Sequence, residues 1–150
     1  MKGAHIEREF EVAVDNVRQP HLDRLVALGA SPASISHIGM AHPAFGILDG
    51  TGERDGSFVP GDGRAHVVVP VVENGGLIDY VAWRSDNPAR WWLRSGLGWL
   101  LNADGAINRL WPGDAVVLHS TPLAWLSAFG VGGVVVDWQS PDIGTSWPTS

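Results

Sequence analysis

Residues 64–101, RAHVVVPVVENGGLIDYVAWRSDNPARWWLRSGLGWLL, decide the fold. His66 opens a β-branched run, Val67 to Val72, interrupted only by Pro70. Stiff branched side chains suit a pleated, buried surface, so 66–72 reads as a strand. Glu73-Asn74-Gly75-Gly76 supplies turn chemistry, and Leu77 to Arg84 reads as the returning strand of a β-hairpin. The second half packs three tryptophans, Arg90 and Arg94 around Pro88 in NPARWWLRSGLGW, with Trp91-Trp92-Leu93 as a third short strand.

Downstream, Leu97 to Leu101 is a further apolar segment and Asn102-Ala103-Asp104-Gly105 a turn. Ile107 to Trp111 leads into a second turn, Pro112-Gly113-Asp114, which launches Ala115-Val116-Val117-Leu118. Ser120 or Thr121 then caps a helix with Pro122 at its first position, Leu123, Leu126 and Phe129 on its apolar face and Gly130 at its end. Gly133 to Asp137 is the return strand. Strand, short helix and apolar strand make a βαβ unit over 115–137, which implies a parallel, buried pair. From Trp138 the Ser/Pro/Thr-rich sequence reads as a frayed tail.

Upstream, residues 49–64 are glycine-rich, but no Gly-Lys-Ser/Thr follows and four acids would repel phosphate. The segment reads as a long hairpin turn or mobile loop, after a short strand from Ala44 to Leu48. Ile6, Phe10, Val14 and Val17 recur at helical spacing, although Phe10, Val12 and Val14 also alternate as in a strand. Helix is favoured, with Glu7, Arg8, Glu9 and Glu11 as a solvated face. Pro20 opens a second helix bearing Leu22, Leu25, Val26 and Leu28 and stopping at Gly29. Ser31-Pro32 opens a third, ending near Gly39. The expected fold is therefore one α+β domain over 1–150: helices in 4–39, a mostly antiparallel twisted sheet in 44–118, the βαβ unit in 115–137 and the tail from 138.

The chain has 150 residues, enough for one domain with a sizeable core. With 45% hydrophobic and 17% charged residues it belongs among folded globular chains. Its net charge of −6 argues against a general nucleic-acid binder, yet Arg84, Asp86, Arg90 and Arg94 make the Val81–Leu100 stretch locally basic. The absence of cysteine excludes disulfides, thiolate metal sites and thiol catalysis. No apolar run approaches the roughly 18 residues of a membrane span, and MKGAHIEREFEV lacks a signal core. No membrane association and a cytoplasmic location are expected.

Two sets of residues could carry function. Arginine forks pair with carboxylate or phosphate and indole faces stack, so Arg84, Arg90, Trp91, Trp92 and Arg94 form a candidate site for a protein partner or single-stranded nucleic acid. Arg84 and Arg94 could instead pair with Asp86 or Asp79. The tryptophan content also suggests a homodimer with Trp83, Trp91, Trp92 or Trp99 in the contact. The alternative is a small-molecule or nucleotide-binding enzyme with its site at His119, Ser120 and Asp137, at the ends of the last two strands. Ser120 lacks a nucleophile-elbow pattern. His37 and His42 lack the one-face spacing of a metal pair. No metal and no cofactor are expected.

Pro70, Glu73, Gly76, Ile78 and Arg84 resemble a segment of bacterial and phage DNA primases just before their Toprim domain. There a strand ends in Phe-Pro-Ile, an acidic residue follows at the same offset, then a turn glycine, a second strand and an arginine. Arg90-Trp91-Trp92-Leu93 resembles the Lys-Tyr-Leu that follows, and AVVLHSTPLAWLSAFGVGGVVV looks like the opening strand–helix–strand of a Toprim domain. Toprim chemistry needs a glutamate after that first strand and a later Asp-x-Asp pair to hold magnesium. The resemblance puts His119 at the glutamate, Ser120 at the following glycine and Leu123 at a helical aspartate, which implies that the chemistry is lost. The hairpin and the TPLAWL–GVVVDW ending also look like uncharacterised proteins of prophages and plasmids. The expectation is a non-catalytic accessory protein of a phage or mobile element.

Overall fold

A computed structural model describes residues 2–107 and 115–140 of the chain. Three helices come first: α1 (Lys2–Asp15), α2 (Gln19–Ala27) and α3 (Pro32–Gly39). Ile6, Phe10 and Ala13, spaced four and three apart, bury one face of α1, so its 3.6-residue period prevails over the competing alternation. Pro20 sits in the first turn of α2, where its missing N–H costs nothing. Leu25 is buried there, but Val26 points to solvent. Ser31 caps α3, its Oγ accepting from the Ser34 N–H at 3.1 Å.

Five antiparallel strands follow: β1 (Gly46–Gly52), β2 (Phe58–Pro60), β3 (Arg64–Glu73), β4 (Gly76–Arg84) and β5 (Asn87–Leu93). Their order is β2-β1-β3-β4-β5. The β3–β4 hairpin turns on Asn74 and Gly75, both at positive φ (53° and 79°), which glycine and asparagine tolerate best. The carboxylate of Asp104 accepts from both turn N–H groups, at 2.9 and 3.0 Å.

Every residue of β3 from His66 to Val71 is buried, because both faces of the sheet are covered. Val67, Val69, Val71, Val81 and Trp83 meet Leu25, Ile38, Trp125 and Leu126 on the outer face. Leu48, Phe58, Val68, Tyr80 and Ala82 meet α1 on the inner face. Such double coverage makes an antiparallel strand read as a continuous apolar run. The Trp83 indole N–H is the one buried side-chain donor without an acceptor among the described residues.

The sheet curls until its edges touch. β2 and β5 run in the same direction, since every neighbouring pair from one edge to the other is antiparallel across four steps. Ser57 accordingly bridges Leu93 in parallel, and the Leu93 N–H donates to Gly56 O at 2.9 Å. Residues 49–64, expected as a long hairpin turn or mobile loop, instead carry the end of β1 and all of β2, an antiparallel hairpin at a corner of this curled sheet. Its glycines mark close approach: a Cβ on Gly52 would lie 2.0 Å from the Trp92 ring, and one on Gly50 2.4 Å from Phe58.

The main sheet ends at Leu93, not near residue 118. Beyond it come β6 (Leu100–Leu101), α4 (Ala103–Ala106), α5 (Pro122–Ser127) and β7 (Val134–Val135). The expected turn at 102–105 is a short helix entered through Asn102 at φ 61°, whose amide donates to Gly130 O and Gly132 O. Thr121, rather than Ser120, caps α5. The βαβ arrangement is present as a parallel Leu118–Gly133 bridge flanking α5, but residues 115–118 form no extended strand and β7 pairs antiparallel with β6. Val117 and Leu118 are 47% and 41% exposed, so the parallel pair is not buried as expected. The expected segment 108–111, the turn 112–114 and the tail beyond Ser140 lie outside the described residues.

Candidate functional site

Strand β5 pairs Trp91, Trp92 and Leu93 with Trp83, Ala82 and Val81, then jumps to Asn87 opposite Arg84, so residues 88–90 bulge out of register. A bulge at a sheet edge stops pairing and re-aims side chains. Pro88, with no N–H to give the ladder, fits that position. Alternation sends the two tryptophans to opposite faces. Trp91 packs on the outer core and donates from Nε1 to Val136 O at 3.1 Å. Trp92 packs on the inner core, against the edge of His66, and donates to Glu53 O at 3.1 Å. Both expected stacking platforms are thus engaged in holding the chain together.

The three arginines have separate fates. Arg84 pairs with Asp86 through two hydrogen bonds, at 2.9 and 3.0 Å, as one sequence reading anticipated. These bonds hold the Asp86 carboxyl below its ordinary range. Arg94 pairs not with Asp79 but with Glu9, Nε to Oε1 at 2.8 Å and Nη2 to Oε2 at 3.1 Å. The Tyr80 hydroxyl donates to the same Oε1 at 2.6 Å, and His5 Nε2 lies 2.6 Å from Oε2. Partial burial alone would push the Glu9 carboxyl up, but the Arg94 and Tyr80 bonds outweigh it and hold it below the ordinary 4.5. The solvated face expected on α1 is therefore wrong at Glu9, which ties the helix to the sheet. Asp79 serves the backbone instead. Its carboxylate accepts from the N–H groups of Tyr80, Ser95 and Gly98 and shapes the chain after β5. Arg90, in the bulge, lies with its guanidinium carbon 5.0 Å from the centre of the Trp92 ring.

Beside the bulge is a cleft of about 650 Å³. The turn at 55–57, Ala89 and Arg90 of the bulge with Trp91 beyond it, residues 93–96 and residues 136–139 line it. Arg90, Trp91, Arg94, Asp55, Asp137 and Trp138 supply its chemistry. Trp138 is 68% exposed. The sequence places it in the expected tail because Ser, Pro and Thr dominate from there on; its only signal is its position two residues after the apolar run Val134–Val136.

The second candidate set does not converge. The His119 N–H donates to Gly133 O at 2.8 Å, and its Nε2 lies 2.8 Å from Val131 O, so that nitrogen carries the ring proton. Ser120 is exposed just before the α5 cap. Asp137 borders the cleft four residues beyond Gly133, its Oδ1 accepting from the Gln139 N–H at 3.0 Å. Among the described residues no hydrogen bond joins His119, Ser120 and Asp137, and no group of three His, Asp or Glu side chains is placed to hold a metal ion. Among the described residues no helix is long and apolar enough to cross a membrane. Of the four tryptophans expected at a dimer contact, Trp83 and Trp99 are buried within the chain and Trp91 and Trp92 are partly exposed. No protein-family model, curated protein or solved structure matches the chain.

Proposed function

We propose that this chain is a non-catalytic binding module, an accessory protein of a phage or mobile element, which takes a segment of a partner protein in the cleft between the β5 bulge and Trp138. The mobile-element part of the reading rests on the resemblance of residues 64–137 to the region of DNA primases around the Toprim boundary. The binding part rests on one observation: an exposed Trp138 beside Trp91 and Arg90 in a cleft of about 650 Å³. Half-exposed indoles in a concave site are common anchors for a partner.

Single-stranded nucleic acid is the less favoured ligand. Arg84 and Arg94 are each neutralised by a carboxylate of the chain, and Asp55 and Asp137 border the cleft. A phosphate chain needs several uncommitted cations. The enzyme reading has less support, since His119 spends its Nε2 proton on a carbonyl. The test is selection from a displayed library of random dodecapeptides on the immobilised protein, alongside binding of a labelled dT20 oligonucleotide at low salt. Selected peptides should bind the wild type and lose affinity for Trp138→Ala. Salt-sensitive dT20 binding with no selectable peptide would overturn the proposal.

A further inference from the structure

Resting on that partner-binding reading, we propose that the segment taken by the cleft is acidic: an aspartate or glutamate gripped by Arg90, next to an apolar residue seated against Trp138. Four charged side chains line the cleft, and three are already committed within the chain. Asp55 accepts from the Ser57 N–H at 2.9 Å and from its hydroxyl at 2.6 Å, and these bonds hold its carboxyl below the ordinary range. Asp137 accepts from the Gln139 N–H. Arg94 is held by both oxygens of Glu9.

Arg90 alone is left over. It is exposed, and its contact is with the π face of Trp92, so among the described residues its N–H donors have no oxygen acceptor. The ring also restrains the guanidinium before any ligand arrives, which lowers the ordering cost of binding. A planar carboxylate matches such a fork through two parallel hydrogen bonds. Trp138 and Trp91 supply the apolar wall beside it. Asp55 and Asp137 sharpen the selection: one carboxylate can sit on Arg90, whereas a run of phosphates would bring repelled charges against both acids.

The dodecapeptide selection described above also tests this inference. Selected sequences should be enriched in Asp or Glu adjacent to Leu, Phe or Trp. Arg90→Gln should weaken those peptides roughly tenfold or more, the scale of a lost charge-assisted bond. Arg90→Lys should recover only part of the affinity, because an ammonium cannot form the fork. Unchanged urea midpoints in both variants show that the effect is on binding. Neutral or basic peptides that need Trp138 but bind Arg90→Gln as well as wild type would overturn the acidic-segment inference and leave partner binding standing. Failure to select any peptide dependent on either residue, or dT20 binding lost in Arg90→Gln, would overturn both.

Discussion

Arg94 and Arg90 border the same cleft four residues apart, yet they stand in different regions. Arg94 follows the paired end of β5 and meets Glu9, Tyr80 and His5 beneath α1. Arg90 belongs to the bulge and rests on the outside of Trp92 without a carboxylate. The Glu9 node joins a helix to the sheet across 85 residues of chain; the Arg90 guanidinium rests on Trp92, two residues along its own strand. The difference follows from register. Three residues out of step with β4 put one arginine of the segment into the fold and the other at its rim. Composition alone, which makes both one basic patch, could not separate them.

The strongest way to break this comparison is at Trp92, the hinge between the two regions. Its ring covers Gly52, meets His66 edge-on and donates to Glu53 O. Trp92→Ala should cost about 3–5 kcal/mol of stability, as for other large aromatic deletions, read from the urea midpoint. A loss below about 1 kcal/mol would mean that Trp92 is a surface platform after all. Next comes Glu9→Ala, which strands the Tyr80 hydroxyl and the partly buried Arg94. It should cost about 1–3 kcal/mol in the same assay, while Glu7→Ala, on the exposed side of α1, should be near neutral.

These sites also mark what was legible in the sequence. Local chemistry announced itself: Asn74-Gly75 turned the hairpin, Ser31-Pro32 and Thr121-Pro122 started helices, and the valine run of β3 marked a strand, though not that both its faces are covered. Long-range pairing did not. Closure of the sheet depends on Ser57 meeting Leu93, and nothing in either local pattern specifies that contact. Glycines 50 and 52 looked like loop punctuation because a close approach leaves no mark except a missing side chain. Glu9 looked solvated because its partners lie in β4 and after β5. Of the residues lining the cleft, Arg90, Trp91, Arg94 and Asp137 stood out in the sequence, the last in a different candidate set, while Trp138 was hidden in a tail-like composition.

Acid titration sharpens the inner region further. Burial lowers the His66 pKa below its ordinary 6.5, with the Nδ1 bond to Arg64 O only partly opposing it. The unfolded chain therefore takes up that proton first, so this contribution is fully present above about pH 6.5 and is lost as pH falls through the folded value. Glu9 has the same sign at lower pH: its contribution is present above about 4.5 and lost as pH falls through its depressed folded pKa. Urea midpoints should thus fall in two stages between about pH 8 and about pH 3. The first stage should be absent in His66→Gln and the second reduced in Glu9→Gln. A wild-type midpoint that stays flat from about pH 8 to about pH 5 would rule out a buried neutral histidine.

The smallest expected effect on stability is at Arg90, where Arg90→Gln should change unfolding free energy by no more than about 0.5 kcal/mol. The division between fold and rim is therefore best tested by comparing Arg90→Gln with Arg94→Gln, with urea midpoint and affinity for a selected acidic dodecapeptide measured on each. Arg90→Gln should keep the wild-type midpoint and lose affinity, and Arg94→Gln should show a clearly lowered midpoint. A destabilised Arg90→Gln, or an Arg94→Gln as stable as wild type, would contradict that division.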